Sequence, residues 1–273
     1  MPLRLGMVIR VMGPQSTRET IADCATAAEE AGIDDVWVSD HIAIPPDDAE
    51  GSGGRYLDPL ATLAFLAART ERVGLGTAVL NLPYRPALPT AKWLATIQEL
   101  CSGRLLLGVG LGWMRPEFKA LGVDRRRRGE LADAALGLFE RCFASDEVEE
   151  NGQRFLFLPR PARPPIFVGG QPPHALRRAV RHGDGWMPML RDPADLEEPA
   201  AELRRLARQA GRPDPEVVAL SGLDTRDPAR MADRIEAFEK AGATRLVHGA
   251  GYRDAAEFRA HAQAIGALRR AGG

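Results

Sequence analysis

Eight short runs rich in Val, Ile and Leu recur along the chain, each followed by a stretch with helical periodicity. The runs are "LRLGMVIR" from Leu3, "DVWVS" from Asp35, "VGLGTAVL" from Val73, "RLLLGVG" from Arg104, "PIFVGG" from Pro165, "GWMPML" from Gly185, "EVVALSG" from Glu216 and "TRLVHGAG" from Thr244. They lack polar alternation, which suits parallel strands covered on both faces. Strict strand-helix alternation implies a parallel sheet, and eight units allow closure into a (β/α)8 barrel. An open doubly wound sheet competes, but it is commonly built from five or six strands. The expected fold is α/β, a (β/α)8 TIM barrel. A chain of 273 residues suits one such barrel over 1–273, undivided.

The intervening stretches carry their own punctuation. "TRETIADCATAAEEAG" starts a helix near Thr17 and offers Gly32 as its C-terminal cap. Two segments break the rhythm and read as insertions after strands 2 and 4. "IAIPPDDAEGSGGRYL" is a Gly- and Pro-rich loop from Ile42, and "VEENGQRF" is a hairpin turning at Asn151-Gly152. The formal net charge is −1, so no basic field argues for nucleic acid or a membrane surface. Cys24, Cys101 and Cys142 have no metal-ligand spacing; their odd number argues against a disulfide framework and fits a reducing, cytoplasmic setting. No apolar run approaches the roughly 20 residues of a membrane span, and the N-terminus does not read as a signal peptide.

In a barrel of this type chemistry sits at the C-terminal ends of the strands. Those positions hold Arg10, Met12 and Gly13; Ser39, Asp40 and His41; Thr77, Ala78, Val79 and Asn81; Gly110, Gly112 and Trp113, with Glu117 beyond; Gly169, Gly170 and Gln171; Trp186; and His248 with Gly249. His41 carries a side chain able to give or take a proton near neutral pH. Asp40 either orients it or caps the following turn. "VGGQPPHALRRA" places two glycines before a helix start, the arrangement of a phosphate site or simply of a tight turn. "GVGLGW" is not a dinucleotide fingerprint, because Trp113 stands where the last glycine belongs; it reads instead as a flat wall for a planar ring, with Met12, Trp113 and Trp186 as pocket residues. Arg125 to Arg128 and Arg177, Arg178 and Arg181 either meet an anionic tail or lie on solvated faces. His174, His182 and His261 read as surface groups on helices. Hydrolase triads and metal motifs are absent from the sequence.

The set "EEAGIDDVWVSDH", "DPLATLAFLAARTERVGLGTAVLNLPYRPALPTAKWLATIQELCSGRLLLGVGLGW" and "PPIFVGGQPPHALRRAVRHGDGW" resembles the luciferase-like monooxygenase superfamily from about Leu3 to Ala267. Within it the chain is most similar to oxidoreductases that use the deazaflavin coenzyme F420. The resemblance implies a flavin or deazaflavin at the barrel mouth, with His41 and Asp40 beside the reactive ring. It also implies a cis peptide at Ala78–Val79 and a phosphate loop at Gly169, Gly170 and Gln171. Thr77, Asn81, Gly110 and Gly112 complete the expected cofactor set. The implied activity is hydride transfer between F420 and an unidentified small organic substrate. An FMN-dependent monooxygenase fed by a partner reductase, and a non-catalytic flavin-binding protein, are the alternatives; a homodimer is the state common in the family. The chain departs from the sugar-phosphate dehydrogenases of the superfamily. Trp113 replaces their glutamate after strand 4, and Pro45 stands where they have a tryptophan.

Overall fold

The computed structural model describes residues 3–190 and 192–271. In chain order its strands are β1 (Arg4–Val8), β2 (Asp35–Val38), β3 (Gly74–Asn81), β4 (Leu105–Gly110), β5 (Glu147–Glu150), β6 (Gln153–Leu156), β7 (Ile166–Gly169), β8 (Gly185–Met187), β9 (Glu216–Ser221) and β10 (Arg245–His248). Its α-helices are α1 (Arg18–Ala31), α2 (Pro59–Ala67), α3 (Ala87–Leu100), α4 (Arg115–Ala120), α5 (Arg128–Ala144), α6 (His174–His182), α7 (Ala194–Gln209), α8 (Pro228–Lys240) and α9 (Ala255–Ala271). Eight parallel strands close a barrel in the order β1-β10-β9-β8-β7-β4-β3-β2, while β5 and β6 form a separate antiparallel pair. This is the (β/α)8 barrel expected from the eight apolar runs. No helix among the described residues is long and apolar enough to cross a membrane.

Local chemistry explains the boundaries. The Thr17 side chain accepts from the Thr20 N–H to cap α1, and Gly32 ends that helix in the left-handed region at φ 80°. Asp58 caps α2 by accepting from Leu60 and Ala61. Asn151 and Gly152 both take positive φ, which joins β5 to β6 by the two-residue turn the sequence signals.

Successive side chains on each strand face opposite ways. Val8, Trp37, Leu106, Phe167, Met187, Val218 and Val247 share one cluster on the barrel axis. Their chain neighbours Met7, Val36, Leu105, Ile166, Trp186, Val217 and Leu246 belong to a second cluster between strands and helices. At the N-terminal end of the axis sits a charge pair. Arg245 donates to Asp35 across the barrel interior, and Trp37 Nε1 donates to the other Asp35 oxygen. The Arg245 guanidinium lies 5.9 Å from the ring centres of both Trp37 and Phe167 and 3.4 Å from Glu216 Oε2. Burial, then the like charge of Arg4, pulls Arg245 down to about 10, which leaves it cationic at neutral pH.

Removing one member of a buried pair leaves the other charge without compensation, at about 3–5 kcal/mol. Asp35→Asn is therefore expected to lose stability of that order in urea denaturation, and an apolar Asp35→Leu/Arg245→Met pair to recover much of it. A loss below about 1 kcal/mol in Asp35→Asn would show that the pair is not a structural anchor.

Candidate active site

The end of β2 separates Asp40 from His41. Asp40 is buried and turned toward the ends of β3 and α2: Arg85 donates to both its oxygens at 2.6 and 2.8 Å, and the Asn81 N–H at 2.8 Å. Arg85 also reaches Asp58, the cap of α2, at 2.7 Å. Burial raises the Asp40 carboxyl from its ordinary value, and the paired guanidinium opposes that rise. Asp40 thus braces the barrel rim; of the two roles the sequence leaves open, orienting His41 or capping the next turn, it takes neither, having no hydrogen bond to His41, and instead holds Asn81 and Arg85.

The partner of His41 is Glu117, which comes from 76 residues away. His41 Nδ1 lies 2.9 Å from Glu117 Oε2. The other carboxylate oxygen accepts from the Ile42 and Ala43 N–H groups at 2.7 and 3.1 Å, and Tyr84 OH donates to Oε2 at 3.0 Å. Glu117 is fully buried in the first turn of α4, a helix not evident in the sequence reading. Burial pushes its carboxyl up, but the Ile42 and Ala43 amides and His41 outweigh burial and hold it below the ordinary glutamate range. Glu117 is therefore an anionic acceptor, which places the His41 proton on Nδ1 and leaves Nε2 as the free lone pair. Aromatic rings flank the imidazole: Tyr56 at 5.0 Å between centres and Trp113 edge-on at 6.1 Å. Tyr56, in the long loop after β2, also forms an isolated bridge with Met12, so Met12 lies beside this group. Trp113 is 66% exposed, an unusual state for so large an apolar ring.

The strand ends on the far arc form a shelf. The Ala78–Val79 peptide is cis, and the β3–β4 register shifts between Thr77 and Leu80. The Val79 side chain fills the space beside β4 and β7. A Cβ on Gly110 would stand 2.4 Å from Val79 Cγ2, and one on Gly169 3.3 Å from Cγ1. Gly112, at φ +73°, leaves room for the Tyr84 ring, which a Cβ there would meet at 2.7 Å. These glycines admit protein side chains as much as any planar ligand. Thr77 is buried with its hydroxyl on the Gly108 carbonyl, and both Asn81 donors go to Asp40. Both residues hold the shelf and face away from the mouth. Gly170 and Gln171 are exposed.

Trp186 is corrected from a pocket residue to a support. It is fully buried on the helix side of β8, and its Nε1 donates to the Gly170 carbonyl at 2.9 Å. Its neighbour Met187 is the one that faces the axis. His248 likewise points to the helices. Its Nδ1 accepts from Leu223 N, its ring meets His261 edge-on, and burial followed by His261 pulls it down to about 4. His182 is buried and paired with Glu140, so it is not a surface group. A cleft of about 570 Å³ opens over β8, β9 and β10, lined by Met189, Leu190, Leu220, Ser221, Gly222, Arg234 and Gly249. That volume suits a small-molecule site. It lies on the arc opposite the Val79 shelf, since β9 is four strands from β3 around the barrel. Among the described residues no cluster of three or more His, Cys, Asp or Glu side chains could hold a metal ion.

Comparison with known proteins agrees with the fold. A 197-residue stretch is 34% identical to an F420-dependent glucose-6-phosphate dehydrogenase of Kineococcus radiotolerans, covering 68% of this chain and 56% of that protein. The fold superposes on an F420-dependent secondary alcohol dehydrogenase in complex with an F420–acetone adduct, with a TM-score of 0.82, 19% identity and coverage of 98% and 100%. It also superposes on the oxygenating constituent of the 3,6-diketocamphane monooxygenase of Pseudomonas putida, in complex with FMN, with a TM-score of 0.79, 15% identity and 97% coverage of both. Residues 7–270 match the family model for luciferase-like monooxygenases, and the chain belongs to that family of oxidoreductases.

Proposed function

We propose that the protein moves a hydride between F420 and a small organic substrate at the barrel mouth. The observation that carries this reading is the His41–Glu117 pair. It is a histidine at a barrel strand end with its tautomer fixed by a buried carboxylate and its rim lined by Tyr56 and Trp113. The residues present fit a tricyclic cofactor. Val79, Gly110 and Gly169 make a contiguous shelf, and Gly170 and Gln171 stand exposed before α6; with Pro172 and Pro173 lacking N–H and Ala175 N donating to the Gln171 carbonyl, the His174 and Leu176 amides are the ones that would meet a phosphate.

The choice of F420 rests on charge. Arg126, Arg127 and Arg178 are paired with Asp124, Glu130 and Asp133. Arg125, Arg128, Arg177 and Arg181 have no carboxylate partner among the described residues, and α5 and α6 meet where Arg178 approaches Gly129. These four cations suit an anionic glutamyl tail. FMN is the second reading, favoured by the FMN-bound structural neighbour, because the shelf suits either ring.

When bound, the ring gives or accepts the hydride at its central carbon or nitrogen. His41 Nε2 then takes the hydroxyl proton as an alcohol carbon loses hydride, or returns it in reduction, so that proton and electron pair leave or arrive together. Glu117 keeps the imidazole oriented and stabilises its protonated form. Trp113 and the loop carrying Tyr56 exclude water from the transfer.

Titration of the purified protein with F420 and with FMN at two salt concentrations tests the cofactor. Tighter binding of F420 that weakens with salt is expected; preference for FMN, or binding of neither, would remove the F420 assignment. Against an active substrate, His41→Ala is expected to slow turnover by about 100-fold or more with cofactor affinity retained. Unchanged turnover would rule out its proton role. Glu117→Gln tests linkage through stability. The folded-state value is depressed, so the wild-type carboxylate contributes fully above its ordinary 4.5 and loses that contribution as pH falls through the folded value. The gap in melting temperature between wild type and Glu117→Gln should therefore be widest near neutral pH and close on acidification. A gap that stays constant with pH would contradict the ionised assignment.

A further inference from the structure

Arg10 stands two residues past β1, and strand alternation aims it into the mouth. Val8 faces the axis and Met7 and Ile9 face the helices. Ile9 N still donates to the Trp37 carbonyl, which carries the ladder to the residue before Arg10. The Arg10 backbone is fixed by its N–H bond to Tyr252 OH at 2.8 Å. Its guanidinium is fixed by nothing comparable. Nε is buried without a hydrogen-bond partner, and no carboxylate among the described residues pairs with it. The positive charge nevertheless acts on two phenols: it opposes the burial that raises Tyr56 and Tyr252. Tyr56 is the ring packed on His41. On the other side, Arg10 Nη1 reaches the Gly251 loop past β10, 3.4 Å from where a Cβ there would stand.

Arg125 also has its Nε buried without a partner, but its charge acts on Tyr84, beside Glu117, and not on Tyr56; three other arginines are engaged. Arg85 holds Asp40 and Asp58, Arg55 holds Ser16, and Arg234 donates from Nε and Nη2 to Ser221. The nearby carboxylates are spent as well, Asp40 on Arg85 and Glu117 on His41. The β1 arc therefore presents a guanidinium with no carboxylate partner among the described residues, whose charge acts on the Tyr56 ring packed against His41. Buried guanidinium donors are satisfied best by carboxylate or phosphate, which accept two parallel bonds.

We propose that Arg10 anchors an anionic group of the substrate, a carboxylate or a phosphate, and that the enzyme acts on organic acids or phosphate monoesters. This rests on the proposed function, which seats the cofactor on the β3–β4–β7 arc. β1 lies diametrically opposite β7 in the strand order, so the cofactor phosphate and the Arg10 anion occupy different sides of the mouth.

Calorimetric titration of the whole protein with benzoate, against neutral benzamide, tests it. Benzoate should bind at least tenfold more tightly than benzamide. Arg10→Gln should remove that preference while F420 and FMN affinities stay within twofold, and Arg10→Lys should keep part of it. Arg10→Lys also serves as the folded reference if Arg10→Gln is unstable. Equal affinity of the wild type for benzoate and benzamide would overturn the proposal, as would an anion preference that survives in Arg10→Gln. Loss of F420 or FMN affinity in Arg10→Gln with benzoate binding intact would assign Arg10 to the cofactor and overturn it too. Failure of both cofactors to bind the wild type, with the anion preference present, would strike the proposed function and leave the Arg10 site standing.

Discussion

The closed barrel depends on one seam. β1 must pair with β2 on one side and with β10 on the other, joining residues more than 200 positions apart in the chain. Asp35 and Arg245 are the first residues of the two strands flanking β1, and they meet inside the barrel at this seam. A buried pair is weak evidence for stability against an apolar alternative, but it is strict about register. A one-residue slip of β2 or β10 would send one charge to the helix face and leave the other alone. The Trp37 and Phe167 rings that cover the guanidinium fill the next layer of the axis.

The opposite end of the axis is built on a different principle. The N-terminal end is charge-paired and sealed. The mouth holds the His41 imidazole and the Arg10 guanidinium, proposed for proton transfer and anion binding. Glu117 ties β4 to the loop after β2: it lies in the helix that follows β4, and it grips His41, Ile42 and Ala43. Fixing an imidazole by a buried carboxylate sets its orientation from a packed element and not from a loop alone. Trp186, behind the barrel wall, does the same for Gly170 on the other arc.

The barrel was legible because strands buried on both faces read as unbroken apolar runs, and eight of them alternate with helices. The helix caps at Thr17 and Gly32 and the turn at Asn151-Gly152 were legible because their chemistry is local. The site was less so. Which face a strand-end residue takes depends on a register that composition does not disclose; a one-residue error put Trp186 in the pocket in place of Met187. Asp40 and His41 are adjacent in sequence, yet alternation sends them to different partners. Glu117 was visible only as a carboxylate beyond the strand 4 glycines, since its partner lies two strands and two helices back in the chain. Tyr56 carried no signal beyond an aromatic residue in a glycine-rich loop.

The central claim is that His41, held by Glu117, presents a free Nε2 to the cofactor site. Nitrogen-15 NMR of histidine-labelled protein measures it most directly. The expected result is a His41 with its proton on Nδ1 and an Nε2 resonance that shifts when F420 is added. A proton on Nε2, or an Nε2 resonance unmoved by saturating cofactor, would contradict it.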